Sequence, residues 1–317
     1  MRHEPSTRRR RIPFTAVAAL AVASVLSACG SGGTGAAAAP SGTGTAGSAS
    51  RTGSGTSAAG AADAADAAST TTTAAARAAA QRVSTAVYFV QAGKLSPAPR
   101  SVTAPSTAAG ALRALFAGPN AYERAHGRGT AIPSGTALRS ITVRSGVATV
   151  DLSGRYDDGA SGASARQRLA QVVFTATRFP GIVSVRFALD GKPVTAFGAQ
   201  HIALGRPVGR AAFEDVSPAV LMESPLIGNT VRTPLRVRGT ANTFEAVFRL
   251  RLTDAAGRTA ADVKVTASSG TGTRGTFDVT IPYRATRTGS GKLTAYYVSP
   301  ATGKNVVVQT VPLSVVR

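Results

Sequence analysis

Apolar and polar residues follow three different patterns along this chain of 317 residues. Residues 84–197 mix helix-like spacing of three and four with strand-like alternation, whereas residues 216–317 show alternation only. Residues 30–81 show neither pattern. The sequence therefore predicts two folded domains that follow an unfolded segment, with a connection over residues 198–215.

Residues 84–197 are expected to contain two helices. Ser106 or Thr107 can cap the first, which ends at Gly118-Pro119, and Ser164 is expected to cap the second. The predicted strands are Ala86 to Val90, the pair 138–144 and 147–152 with a turn at Ser145-Gly146, and residues 183–189. Because no βαβ unit repeats, the pattern indicates an α+β domain with two helices on a small sheet.

Residues 216–317 predict about seven short strands. The clearest alternation places Phe244, Ala246, Phe248, Leu250 and Leu252 on one face. Strands at such regular spacing favour an all-β sandwich. The domain has no cysteine and no tryptophan, which excludes the Cys and Trp core of antibody domains.

The N-terminus has the parts of a secretory signal. Four arginines, Arg8 to Arg11, precede an apolar run of about 15 residues, too short to span a bilayer comfortably. Leu26-Ser27-Ala28-Cys29 resembles the lipobox of bacterial lipoproteins, which implies removal of residues 1–28 and lipidation of Cys29. The alternative is an ordinary signal peptide in which the cysteine is a coincidence.

Residues 29–83 comprise Cys29 and a linker that is almost entirely Ala, Gly, Ser and Thr. Such a segment buries too little apolar surface to offset its ordering entropy, so we expect a disordered tether. With one cysteine in the chain, no intramolecular disulfide can form.

The chain carries a formal charge of +21, which becomes +17 when residues 1–28, with five Arg and one Glu, are removed. This charge favours anionic partners such as phospholipid headgroups or wall polymers. The alternative is a compositional bias, because the arginines are scattered. No basic run alternates with aromatic residues, so nucleic acid is not an expected partner.

The sequence offers little catalytic or cofactor chemistry. The pattern G-x-G-x-x-G begins at Gly30, Gly42 and Gly270, but none has the strand before it and helix after it that a dinucleotide site needs. His126 and His201 have no partner at metal-ligand spacing. Asp151 is interpreted as a turn cap rather than a binding residue, and Asp157-Asp158 as part of a polar loop. We therefore expect no enzyme, no cofactor and no metal site.

Residues 84–197 resemble the GerMN family. The resemblance rests on seven blocks in order, which are Val87-Tyr88-Phe89, 111–119, 130–136, 146–153, 169–173, Phe179-Pro180-Gly181 and Leu189-Asp190-Gly191. Residues 216–317 are similar to the immunoglobulin-like domain of bacterial spore-germination proteins, through Ser224-Pro225, Gly228, 234–245, Gly275-Thr276-Phe277 and Gly291-Lys292-Leu293. Both resemblances imply non-catalytic modules of the cell envelope.

The expected function is protein interaction or assembly, in a lipoprotein held on the extracytoplasmic face of the cell membrane through Cys29. The expected partners are an envelope protein or a second copy of the chain. The alternative function is binding of wall glycan or an anionic wall polymer, for which exposed arginines such as Arg249 and Arg251 are candidates.

Overall fold

The computed structural model describes residues 81–317, which all fall within one compact unit. The predictions for the signal peptide, Cys29 and most of the tether lie outside the described residues. Within 81–317, no helix is long and apolar enough to cross a membrane.

The first domain opens with a tight hairpin of β1 (Arg82–Gln91) and β2 (Lys94–Thr103). Ala92 and Gly93 both have positive φ, as a two-residue hairpin turn with the right twist requires. β2 contains Pro97 and Pro99, which donate no backbone hydrogen bond, and it forms the edge of this sheet. The short strand β3 (Arg128–Gly129) pairs with the other side of β1.

Three helices cover the first domain: α1 (Thr107–Phe116), α2 (Ala121–Ala125) and α3 (Gly162–Ala176). α1 begins after Ser106 and stops before Gly118, which adopts the positive φ expected of a terminating glycine. The start of α3 was wrong in the sequence prediction, because Ser161 and not Ser164 precedes it. Ser164 lies inside the first turn, where its hydroxyl donates to the carbonyl of Ser161 at 2.7 Å.

The domain contains a second sheet, whereas the sequence predicted only a single sheet. Its strands lie in the order β4 (Leu138–Arg144), β5 (Val147–Leu152), β6 (Ser184–Leu189) and β7 (Lys192–Pro193). β4 and β5 form the predicted hairpin, whereas β5 and β6 are parallel and α3 lies between them in the chain. The α+β class is confirmed.

The connection over residues 198–215 is folded and packs on the first domain. It contains the second strand of the small hairpin β8 (Ala196–Phe197) and β9 (Ile202–Ala203), and most of a 3-10 segment, Arg210–Val216. Leu204 and Phe213 are buried in the core of the first domain. This packing fixes the position from which the second domain starts.

The second domain is the predicted sandwich. One sheet has the order β10 (Val220–Ser224), β12 (Leu235–Ala241), β15 (Gly275–Ile281). The other has the order β11 (Thr230–Val231), β17 (Asn305–Val315), β16 (Gly289–Val298), β13 (Val247–Thr253), β14 (Thr259–Thr266).

Phe244 departs from the predicted alternation. It lies in a 3-10 turn before β13, and 59% of its surface is exposed. The inward face of the strand begins later, with Phe248, Leu250 and Leu252, which are all buried. The ring of Phe248 meets Phe277 of the opposite sheet edge-on, with centroids 4.9 Å apart.

Candidate functional site at the domain junction

A partly buried carboxylate joins the two domains. Glu223 lies on β10, the first strand of the second domain, and receives a hydrogen bond from the phenol of Tyr88 on β1 of the first. Arg210 of the connection donates to the same carboxylate at 2.7 Å, and Arg178 lies 3.5 Å from its second oxygen. Elements from both domains and the connection therefore meet at Glu223.

The guanidinium of Arg210 is held on several sides. It donates to the hydroxyl of Thr177, just beyond the end of α3, at 2.8 Å. It donates as well to the carbonyl of Phe174, in the last turn of α3, at 3.2 Å. It also stacks over the ring of Phe174, 4.8 Å from the centroid. Such contacts orient the planar guanidinium and favour one geometry of the ion pair with Glu223.

The charges at this cluster follow from their surroundings. Burial by itself raises the pKa of Glu223, but the charge of Arg210 and the hydrogen bonds from Tyr88 and Arg210 together lower it below its usual value. Burial, followed by the neighbouring carboxylate, raises the pKa of Tyr88. The cluster therefore consists of an ionised carboxylate, a protonated phenol and a guanidinium at neutral pH.

A second ion pair lies beside the first. Arg274 binds both carboxylate oxygens of Glu214, at 2.8 Å each, and the amide of Asn242 donates to the same carboxylate at 2.8 Å. The hydrogen bond from Arg274 is the largest cause of the lowered pKa of Glu214. Because Glu214 belongs to the connection and Arg274 to the second domain, this pair also spans the junction.

The glycine pattern from Gly270 serves this second pair. The segment joins two strands, β14 and β15, and bears Arg274 near its end. A Cβ atom at Gly270 would lie 2.4 Å from the carbonyl oxygen of Thr243, so the loop needs glycine at that point. The pattern is therefore a close turn that places an arginine, and the structure has strands on both sides of it.

Two of the cavities at the junction lie where the end of β1 meets the second domain. The larger, about 650 Å³, is lined by Gln91, Ala92, Lys94 and Leu95 of the first domain, Glu214 and Ser217 to Ala219, and Asn242, Arg274 and Val307 to Thr310 of the second. The smaller, about 600 Å³, shares Gln91 and Thr310 with it. Together they form a groove between the domains, which we call the junction groove.

Most of the candidate residues taken from the sequence have structural positions, in which they cap turns or lie in turns. Asp151 caps the turn between β6 and β7, since its carboxylate accepts from the amide of Gly191 at 3.0 Å. Asp157 accepts from the amide of Gly198 at 3.0 Å. His126 ends α2, His201 lies in the β8–β9 turn, and residues 81–317 contain no group of three or more potential metal ligands.

Arg249 and Arg251 are less available to bind an anionic polymer than the alternation along β13 predicted. Both donate to the carboxylate of Asp262, at 2.9 and 2.8 Å, and both contact the hydroxyl of Tyr296. Asp262 therefore offsets part of their charge, and the cross-strand cluster stabilises the outer face of β13.

Residues 86–195 match the family model described as "Sporulation and spore germination", named Germane. Residues 219–304 match the model described as "Immunoglobulin-like domain of bacterial spore germination". The chain carries these two domains in this order. The resemblances drawn from the sequence are thus confirmed for both domains. No curated protein matches the chain.

The solved structures that are similar to the chain at low identity include two of one protein. One is the tandem GerMN domains of the sporulation protein GerM from Bacillus subtilis, at 12% identity and a TM-score of 0.35. The match covers 64% of this chain and 62% of that structure. The other is the first GerMN domain of the same protein, at 16% identity and a TM-score of 0.33, with coverage of 40% and 98%.

The sequence did not predict the junction. Tyr88 and Glu223 lie in strands whose neighbouring residues face a core. From the sequence, Tyr88 is therefore expected to be an ordinary core tyrosine and Glu223 a surface acid, and nothing indicates that the two side chains meet. A weak signal was the connection itself, where Arg210, Glu214 and Asp215 lie close together beside the apolar Phe213. Such a mixture is unusual for a free linker, which is typically small and polar.

Proposed function

We propose that this protein is a non-catalytic lipoprotein of the cell envelope that acts in protein interaction or assembly. The observation that carries the proposal is the junction. Two germination-type domains are joined through Glu223 and Glu214, each bound by arginine, and a groove lies between them. A fixed pair of domains presents one composite surface, which suits recognition of a partner.

The proposal includes anchoring at the extracytoplasmic face of the cell membrane through a lipid on Cys29. It is supported by the lipobox-like sequence before Cys29 and by the Ala, Gly, Ser and Thr linker that follows. A linker of about fifty residues has a root-mean-square reach of roughly 40 Å if it behaves as a flexible chain. That reach would place the two domains within range of a neighbouring envelope protein.

Cross-linking of the full chain in intact cells tests the interaction. We expect a defined envelope protein or a self-oligomer to be recovered, and the yield to fall for Glu223→Gln, which weakens the junction. The control is Asp278→Asn, which removes an exposed ion pair with Arg236 on the outer face of the second domain. Recovery of only random neighbours, at equal yield for all three proteins, contradicts the proposal.

Wall polymer is the competing candidate, favoured by the charge of +17 that remains after residues 1–28 are removed. Binding of this kind weakens steeply with salt because exposed charges are screened. Sedimentation of the protein with purified walls distinguishes the two functions. Absence of pelleting at low salt eliminates the polymer, whereas salt-sensitive pelleting without a cross-linked partner favours it.

A further inference from the structure

Strand β17 has one edge that is largely unpaired. Its partner β16 runs along the other edge, from Gly289↔Val315 to Val298↔Asn305. On the open edge, β11 pairs only with Ser314 and Val315. Among the described residues, no strand therefore pairs with the open edge between Asn305 and Val311. Such an edge presents backbone donors and acceptors to any extended chain that approaches it.

The junction groove lies along this open edge. Gln309 faces the interior of the sandwich and is buried, whereas Thr310 faces outward, yet both line the larger cavity. Because successive side chains of a strand point to opposite faces, a cavity that contacts both must lie beside the strand. β16 occupies one side, so the cavity lies on the other.

The side chain of Gln309, a residue that lines the groove, holds a buried donor without a partner. Its carbonyl oxygen accepts from the backbone amide of Met222 at 2.6 Å, which fixes the orientation of the amide group. Its Nε2 atom is buried and has no hydrogen-bond partner among residues 81–317. A buried donor left unpaired costs about 1–3 kcal/mol. Because Nε2 has no accessible surface, a carbonyl oxygen in the groove relieves this cost only if the side chains that cover Nε2 move aside as the peptide binds.

The walls indicate what kind of chain fits. Val306 and Val307 are exposed apolar residues at the open end of β17, with 60% of Val307 accessible. Lys94 lies exposed on the opposite wall, where its ammonium donates only to the backbone carbonyl of Asp215 among the described residues. Two acids line the groove. Glu214 is bound by Arg274, and the carboxylate of Asp254 accepts hydrogen bonds from the surrounding loop, including the amide and hydroxyl of Thr286. The groove therefore combines an apolar strip with a cation that forms no ion pair among residues 81–317, although its charge helps to lower the pKa of the nearby Glu214 and Asp215.

We propose that the open edge of β17 between Asn305 and Val311 binds an extended, acidic segment of a partner protein by strand addition. The backbone of β17 and Nε2 of Gln309 pair with the peptide backbone, Val307 contacts an apolar side chain, and Lys94 attracts a carboxylate. The inference deepens the interaction function proposed above and rests on it.

Site-specific photo-cross-linking in the full chain tests the site. A photoreactive residue replaces Val307 in one protein and Val143 in the control, which is an exposed valine on the edge strand β4 of the other domain. We expect a discrete adduct at Val307 only, mapped by mass spectrometry to an acidic segment. Adducts to residues 30–80 of the same chain, to a second copy, or equally from both positions overturn the proposal.

The mapped segment, made as a synthetic peptide, allows a binding measurement. Lys94→Gln is expected to weaken binding several-fold and to reduce its salt dependence. Gln309→Glu keeps the acceptor for Met222 but removes the donor, and about tenfold weaker binding is expected. Thermal unfolding of each variant identifies any loss of folding, in which case Lys94→Gln decides.

The two proposals can fail separately. The strand-addition site is overturned if a partner is recovered by general cross-linking but not through Val307. It is also overturned if Lys94→Gln binds the peptide as tightly as the wild type does. In either case the interaction function still stands. Recovery of no partner by either method overturns both.

Discussion

The phenol of Tyr88 donates a hydrogen bond to the carboxylate of Glu223, 135 positions further along the chain. Tyr88 is fully buried in the first domain, and Glu223 belongs to the first strand of the second. A hydrogen bond between a neutral donor and a charged acceptor is stronger than one between neutral groups, and exclusion of water preserves it. This contact therefore couples the stability of the two domains.

Tyr88→Phe is expected to destabilise the protein by about 1–3 kcal/mol, because the partly buried carboxylate of Glu223 loses one hydrogen-bond donor. Urea unfolding followed by circular dichroism measures the change. Tyr297→Phe is the matched control, since the Tyr297 hydroxyl makes no hydrogen bond within residues 81–317 and the side chain is partly exposed. Equal stability of the two variants contradicts a role for the Tyr88 phenol.

Acid should weaken the junction. The folded-state pKa values of Glu223 and Glu214 are both lower than the ordinary value of 4.5, so the unfolded chain binds more protons as the solution is acidified. The stabilisation is complete above about pH 4.5 and is lost as the pH falls through the lower folded-state values.

Urea unfolding of wild-type protein and Glu223→Gln between pH 7 and pH 3 measures this dependence. The variant is expected to be less stable at pH 7 but to lose less stability on acidification, because it lacks one of the linked carboxylates. Glu245→Gln, at an exposed turn, should keep the wild-type slope. Identical slopes for wild type and Glu223→Gln count against the prediction.

Local patterns predicted most elements but not their assembly. The β4–β5 hairpin follows from Ser145-Gly146, a local signal that the structure confirms with positive φ at both residues. The end of α1 follows equally from Gly118. The start of α3 was displaced by three residues, because Ser161 and Ser164 are chemically identical candidates and only packing distinguishes them.

Long-range contacts account for what the sequence did not predict. Phe244 fits the alternation of β13, but the Gly270 turn approaches Thr243 closely. The chain therefore forms a 3-10 turn at Phe244, and β13 begins only at Val247. The junction groove depends on the β1–β2 turn approaching β17, elements more than two hundred residues apart. No local pattern carries that information.

Arg128 is expected to reduce stability. Its side chain is 2% exposed, and none of its three guanidinium nitrogens has a hydrogen-bond partner among the described residues. Burial lowers its pKa to about 10, although nearby Glu123 opposes the shift. Replacement of a poorly compensated buried charge with an apolar side chain of similar volume can stabilise a protein by about 1–4 kcal/mol.

We therefore predict a higher free energy of unfolding for Arg128→Met. Arg100→Met is the contrasting variant, because Arg100 binds both oxygens of buried Glu123, at 2.6 and 2.9 Å. Removal of that partner should cost about 3–5 kcal/mol. Opposite signs in urea unfolding support the assignment, and destabilisation of similar size in both variants contradicts it.

Gly239 tests the packing of the sandwich. A Cβ atom there would lie 2.0 Å from the carbonyl oxygen of Leu221 and 2.9 Å from the ring of Phe277. Gly239→Ala therefore forces β10 and β12 apart, and we expect a loss of at least about 1–3 kcal/mol. At Gly205 a Cβ atom meets nothing within 4 Å, so Gly205→Ala should leave the melting temperature nearly unchanged. Equal melting temperatures would refute the steric argument.

The prediction with the widest consequence concerns Cys29. One acyl chain gives marginal membrane affinity, whereas two give stable anchoring, and a diacylglyceryl thioether on this thiol would supply two chains. Cys29→Ser removes the thiol, so we expect unprocessed precursor, or protein shed into the medium after cleavage elsewhere. Metabolic labelling with a tagged fatty acid, followed by fractionation, measures both lipid and location. Ser31→Ala, just beyond the lipobox, should keep the label and the membrane fraction. Unlabelled, fully soluble wild-type protein would overturn the lipoprotein proposal, and the tether would then no longer hold the junction groove near the membrane.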